Sequence, residues 1–429
     1  MERRLFLALL ALPAVTRLLA ACGERQSASP DTQQRASLQG TAKRITTGAD
    51  PATATAAVNA FAADMYERLT AAEPNVNIVF SPASIALALA MTSSGARGAT
   101  LTEMDQVLHI ADPAGIHRSM NALSAAFDAC TKSKDLAAEG GTGTANVKVA
   151  ITNSLWGQAG LTFEPSFLDL LSAEYGAGME TVDYASDPEA ARATINQWVA
   201  DQTEQRINEL LAKGIISRDT LLTLVNAVYL KATWATQFYV AATTPATFTT
   251  GDGRSVNVDM MHTGGTLLFA HGPGWKAVEL DYAFGDLGFV VAMGDDATSS
   301  MPQAAAVFST LAPTLVTLGL PKFDIGAAIQ LGDMLKAMGM PTAFAESADF
   351  SGITAQADLL ISDVVHQANI TVDEHGTEAA AATAVVGMAT SAPIDPPIPF
   401  EVDRPFTFWL REKTTGAILF MGRVADPAA

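Results

Sequence analysis

From Ala368 to Asp373 the chain alternates. Ala368, Ile370 and Val372 are apolar, whereas Asn369, Thr371 and Asp373 are polar. A period of two marks a strand with one buried face. Far upstream, Val58, Phe61, Met65 and Leu69 recur at the spacing of one helix face. Ile85 to Met91 is apolar all round, which predicts a fully buried helix. Val147 to Leu155 reads as a strand. Ile195, Trp198, Val199 and Gln202 predict a helix leading to Ile207 and Leu210-Leu211. Thr247 to Met293 is strand-rich, with turns at Gly251-Asp252-Gly253, Gly264-Gly265 and Gly272-Pro273-Gly274. Helices and strands mixed without strict alternation predict an α+β fold. There is no internal repeat. Gly140-Gly141-Thr142-Gly143 lacks the Lys and following helix of a phosphate cradle, and reads as a surface loop.

The segment after the alternating strand is the most informative. Asp373 and Glu374 lead through Gly376 to Thr377-Glu378-Ala379-Ala380-Ala381-Ala382-Thr383-Ala384-Val385-Val386. Taken locally this is a helix start, since Thr can cap and Ala is the best helix former. The sequel argues otherwise. Pro393, Pro396, Pro397 and Pro399 follow, and they cannot continue a helix. A strand feeding small residues and then a Pro-punctuated loop resembles the hinge and reactive-centre loop of the serpins.

Further motifs resemble the same family in the same order. They are Asn77-Ile78-Val79-Phe80-Ser81-Pro82-Ala83-Ser84-Ile85, Leu224 to Lys231 with Trp234 and Phe238, Leu320-Pro321-Lys322-Phe323, Ala348-Asp349-Phe350-Ser351-Gly352, and Phe400 to Val424. The resemblance runs from about residue 53 to the end. It implies a single domain over 53–429, with three β-sheets, about eight or nine helices and an exposed reactive-centre loop.

It also implies a function. Serpins are suicide substrates of serine proteases: after the loop is cut, it inserts into the main sheet and carries the trapped acyl-enzyme with it. The hinge would comprise Glu374, Gly376, Thr377, Ala379, Ala381 and Thr383. Alternation would turn Thr377, Ala379, Ala381, Thr383 and Val385 inward and Glu378 outward. No inward side chain is large or charged, which resembles the inhibitory members. Fourteen inserted residues at about 3.3 Å each would span roughly 46 Å. Ser81, Ser84, Asn226 and His366 would form a polar cluster beneath the sheet centre, the shutter. Trp234 would lie at the breach, where the loop enters. The specificity residue usually lies fourteen positions beyond the hinge Gly, which selects Thr390–Ser391. Counting back from Pro405-Phe406 lands near Ile394 instead, and Met388–Ala389 is the runner-up bond. Thr390 would suit an elastase-like or subtilisin-like pocket, and Met388 a chymotrypsin-like or broad elastase-like one. No basic residue occurs from Gly376 to Asp403 to hold a trypsin-like pocket.

Composition narrows this further. With 49% hydrophobic residues the chain can bury a large core, and its formal charge of −19 excludes charge-driven binding to nucleic acid or anionic membrane. Lys132, Lys134 and Lys148 are too few to form a polysaccharide-binding patch. Arg3-Arg4 before the apolar run Leu5 to Val15, then Leu19-Ala20-Ala21-Cys22, resemble a bacterial lipoprotein signal, although Arg17 interrupts it. Residues 1–21 would be removed, Cys22 lipidated, and 22–52 left as a polar, flexible tether. The protein would then be exported and membrane-anchored, or otherwise secreted, and touch membrane only through the lipid. Cys130 shares a helical face with Leu123 and Phe127 and reads as a buried thiol. No disulfide, cofactor or metal is expected, and a monomer is.

Two other classes compete. An exported hydrolase would need chemistry not visible here, since G-x-S-x-G, S-x-x-K and H-E-x-x-H are all missing. A non-inhibitory serpin acting as a binding or scaffold protein is the second, and the small hinge residues argue against it.

Overall fold

The computed structural model describes residues 32–46, 48–136, 144–296, 301–377 and 396–429. Eight α-helices occur among them: α1 (Ala52–Ala72), α2 (Pro82–Ser93), α3 (Gly98–Val107), α4 (Ile116–Ala129), α5 (Pro165–Leu170), α6 (Pro188–Gln202), α7 (Ala304–Phe308) and α8 (Gly332–Met338). Local chemistry explains where they begin. Pro82 occupies the first turn of α2, and the Ser81 hydroxyl accepts the Ser84 N–H. Asp187 caps α6 through the Ala190 N–H, again with Pro at the first turn. Every residue of α2 is buried, as its unbroken apolar run requires. Cys130 follows α4 and is buried as a free thiol. Burial, with the Glu412 and Asp286 carboxylates nearby, pushes it up to about 12.

The main sheet has eight strands: β1 (Ala36–Leu38), β3 (Lys132–Asp135), β4 (Thr144–Gln158), β5 (Met179–Val182), β6 (Leu222–Thr233), β12 (Phe323–Gln330), β13 (Val364–Val372) and β14 (Gly376–Thr377). Its order is β1-β5-β4-β6-β14-β13-β12, with β3 paired to β4. A second sheet has nine strands: β2 (Ile78–Phe80), β7 (Thr244–Thr249), β8 (Ser255–Gly272), β9 (Trp275–Asp281), β10 (Leu287–Gly294), β11 (Ala312–Pro321), β15 (Ile398–Glu401), β16 (Phe406–Glu412) and β17 (Ile418–Val424). The α+β fold holds, and the two smaller sheets implied by the resemblance run into one. The reason is β8, 18 residues long, which pairs with β7 at one end, β11 along its middle and β9 at the other. Phe61, Phe80, Phe289 and Phe408 are fully buried in the core.

The amino-terminal boundary differs from the sequence expectation. The folded unit begins at Thr32, not at residue 53. Residues 36–38 pair antiparallel with Met179–Thr181 at the edge of the main sheet. The Gln33 side chain donates to the Asp183 and Asp187 carbonyls at 2.9 and 2.8 Å and accepts the Asp183 N–H. The Asp169 carboxylate accepts the Thr41 and Ala42 N–H groups, and Ile45 N–H bonds Ala173 O. Backbone and short polar groups carry this docking, so a polar composition is no obstacle to it. Thr377, which locally could cap a helix, lies in a strand, and residues 378–382 lie outside the described residues.

Candidate functional site

The centre of the main sheet is closed at one level and parted at another. Val364–Ala368 of β13 pair parallel with Leu224–Val228 of β6. Further along, β14 sits between the same two strands. Gly376 faces Thr233, and Thr377 lies between Ala232 and Val372. Gly376 has a φ of +150°, and a Cβ there would come within 2.0 Å of the Ala232 carbonyl oxygen. Only glycine fits.

Around this wedge each polar group has a partner. Thr377 is fully buried, and its hydroxyl lies 2.6 Å from the Tyr282 hydroxyl. The Tyr282 ring stacks on Trp234 with centroids 4.4 Å apart. Trp234 donates its indole N–H to the Asp373 carbonyl at 2.9 Å and its backbone N–H to His375 O at 3.0 Å. The Asp373 carboxylate accepts the His375 and Gly376 N–H groups, which closes the turn into the hinge. The buried Glu374 carboxylate accepts from the Thr243 hydroxyl at 2.7 Å and pairs with Lys322 at 3.0 Å. Burial works to raise its pKa, but the Thr243 and Lys322 contacts outweigh it and hold the group below its ordinary value.

Beneath the closed level lies a second polar cluster. Ser81 N–H donates to His366 Nε2 at 3.0 Å, and His366 Nδ1 therefore carries the proton and donates to Asn226 Oδ1. Asn226 Nδ2 donates to Ser84 Oγ and to Asn153 Oδ1, while Asn153 Nδ2 donates to the Ser84 carbonyl at 3.1 Å. The Ser81 hydroxyl donates to Leu419 O at 2.6 Å. Complete burial lowers the His366 pKa to about 3, so the ring is neutral at physiological pH.

The structure thus brings together Ser81, Ser84, Asn226 and His366, and separately Trp234, Glu374, Gly376 and Thr377. Ala379, Ala381, Thr383, Met388, Ala389, Thr390, Ser391 and Cys22 lie outside the described residues. Sequence reasoning missed Asn153, Tyr282 and Thr243. Asn153 could have been flagged as a polar residue within the Val147–Leu155 strand, and Tyr282 and Thr243 carry no such signal. Among the described residues no cluster could hold a metal ion, and no helix is long and apolar enough to cross a membrane.

Known proteins resemble this chain in sequence and fold. Residues 56–427 match the family described as Serpin (serine protease inhibitor). The leukocyte elastase inhibitor of Bos taurus is 35% identical over 390 residues, covering 87% of this chain and 99% of that protein. Uncleaved ovalbumin superposes with a TM-score of 0.76 at 26% identity, over 87% of this chain and 99% of that one. Cleaved Serpin 42Da superposes with a TM-score of 0.74 at 30% identity, over 87% and 98%. The chain, with a glycine hinge seated in a parted sheet above a neutral histidine cluster, belongs to the serpin family of serine protease inhibitors.

Proposed function

We propose that this protein inhibits a serine protease as a suicide substrate and is not itself an enzyme. One observation carries the mechanism: β14 already occupies the gap between β6 and β13, and the two strands are in phase for the rest of the loop. On insertion, continuing the register of Thr377 with Ala232 and Val372 would put Ala381 level with Val228 and Ala368, and Val385 level with Leu224 and Val364. These are the ends of the five pairs that now join β6 to β13 directly. The strands must part, but neither has to slide along the other. Thr377 points inward, so Ala379, Ala381, Thr383 and Val385 would follow it to the core face, and all are small enough to enter. Thr383 would arrive level with Asn226 and His366.

The chemistry belongs to the protease. Its serine oxygen attacks the carbonyl carbon of the reactive residue, the peptide bond breaks, and the following residue leaves as a protonated amine. An ester remains. Insertion then competes with hydrolysis of that ester. Thr390–Ser391 is the proposed bond and Met388–Ala389 the runner-up; both suit small or apolar specificity pockets. Similarity to a leukocyte elastase inhibitor supports an elastase-like target. The protein acts as an exported monomer, anchored through acylated Cys22.

The test is incubation with pancreatic elastase and subtilisin followed by denaturing electrophoresis. A covalent complex is expected, releasing a carboxy-terminal fragment that begins at Ser391. A fragment beginning at Ala389 selects the runner-up, and one beginning at Asp395 overturns the count from Gly376. Cleavage without a complex would favour the binding or scaffold reading. Cys22→Ser should move the protein from the membrane fraction to the soluble one.

A further inference from the structure

We propose that the Tyr282 hydroxyl is a positioning group for the trapping reaction, latching Thr377 as the first inserted residue so that insertion starts from a nucleus already in place. This inference rests on the inhibitory reading above and adds a residue to it.

Tyr282 comes from the second sheet, immediately after β9, yet its hydroxyl reaches the hinge in the main sheet. Three contacts fix it. Its ring lies nearly parallel to Trp234, at 13° and 4.4 Å. Its backbone forms an isolated antiparallel bridge with Trp234, and its N–H donates to Leu287 O at 3.0 Å. Among the described residues the hydroxyl meets one partner, Thr377 Oγ1, at 2.6 Å, and both residues are fully buried. Burial holds the phenol protonated, so the bond persists across the working pH range.

The kinetic role follows from the competition between insertion and ester hydrolysis. Adding a strand is a zipper: the first residues lose freedom before many bonds form, and later ones follow at lower cost. Gly376 and Thr377 have already passed that stage. Without the latch, Thr377 would leave a buried hydroxyl unpaired if it stayed, so the hinge would tend to withdraw. A withdrawn hinge lengthens the exposed bait and slows insertion after acylation. The predicted signature is a split: acylation as fast or faster, trapping less efficient.

The experiment measures the association rate and the moles of inhibitor consumed per mole of pancreatic elastase. Tyr282→Phe keeps the stacked ring and Thr377→Val keeps the branched shape, so both should fold. Each should raise inhibitor consumption about 3–10-fold without slowing association, while Thr377→Ser stays near wild type. The double variant should be no worse than either single one. A merely structural role would instead lower the thermal transition, leave consumption unchanged, and give additive effects. Equal trapping by wild type and Tyr282→Phe would overturn the latch and leave the inhibitory reading standing. A wild type that forms no complex, with subtilisin as well as elastase, would remove both.

Discussion

Breach and shutter lie along the same pair of strands, β6 and β13, and solve opposite problems. At the breach the strands are apart, and the gap is filled by two residues of the chain's own hinge, with Gly376 fitted against the Ala232 carbonyl. At the shutter they pair directly, and a hydrogen-bonded cluster of Ser81, Ser84, Asn153, Asn226 and His366 supports them from below. The first is a sheet already opened and the second a sheet ready to open. A small polar network suits the second task, because its members can exchange partners as strands separate, whereas an apolar plug would have to be repacked. On the proposed mechanism insertion would run in one direction, from Thr377 toward Val385.

The comparison is broken most completely by cutting the loop. Insertion would turn both sites into one continuous sheet, adding about ten backbone hydrogen bonds at about 1 kcal/mol net each, on the order of 10 kcal/mol. The nicked protein should unfold at a markedly higher temperature than the intact one in calorimetry. An equal or lower transition would exclude insertion. Next in size is Thr377→Arg, which places a charge at a fully buried position and costs several kcal/mol. The variant should fold with its hinge expelled and be cleaved as a substrate. Retention of stable complexes on gels at unchanged stoichiometry would refute the inward placement.

Acid separates the two sites. His366 binds a proton with a pKa of about 3 in the native state and about 6.5 when unfolded. The unfolded chain therefore takes up the proton first, and the contribution of His366, complete above pH 6.5, declines as pH falls toward 3. Between pH 6.5 and 5 the loss is about 2 kcal/mol. Glu374 has the opposite chemistry and a lower window. Its pKa is held below the ordinary value, so its contribution is full above about pH 4.3 and is lost as pH falls through the native pKa. Thermal transitions measured from pH 7.5 to 5 should fall in wild type and fall less in His366→Asn, whatever that variant's starting stability. The smallest effect is Glu374→Gln, which removes the ion pair with a Lys322 side chain that is 37% exposed. It should cost about 1 kcal/mol or less and leave the slope above pH 5 intact.

Much of this was legible because alternation and side-chain size are local properties. Ile370 and Val372 announce a half-buried strand on their own, and a glycine between acids and small residues marks the tight position found at Gly376. The shutter was legible only through the family pattern, since Ser81, Asn226 and His366 are far apart in the chain and meet through folding. Asn153 and Tyr282 were not legible: their role depends on which partner the sheets bring opposite them, and nothing in Asp281-Tyr282-Ala283 signals it. Residues 32–46 were misread for a related reason. Polar composition reports that a segment has little to bury, but it is silent on whether its backbone will find a vacant sheet edge.

That docked segment also fixes a direction in space. Gln33 is clasped by the Asp183 and Asp187 carbonyls, and Asp183 accepts a hydrogen bond from Gln158, at the end of β4 beside Leu222, the first residue of β6. The hinge pairs with Thr233, at the other end of β6. The docked segment and the hinge residues Gly376 and Thr377 therefore lie at opposite ends of β6. Continued through the proposed insertion, the register of Gly376 with Thr233 would take Thr390 past Leu222, so a captured protease would be carried to the end of β6 where the docked segment sits.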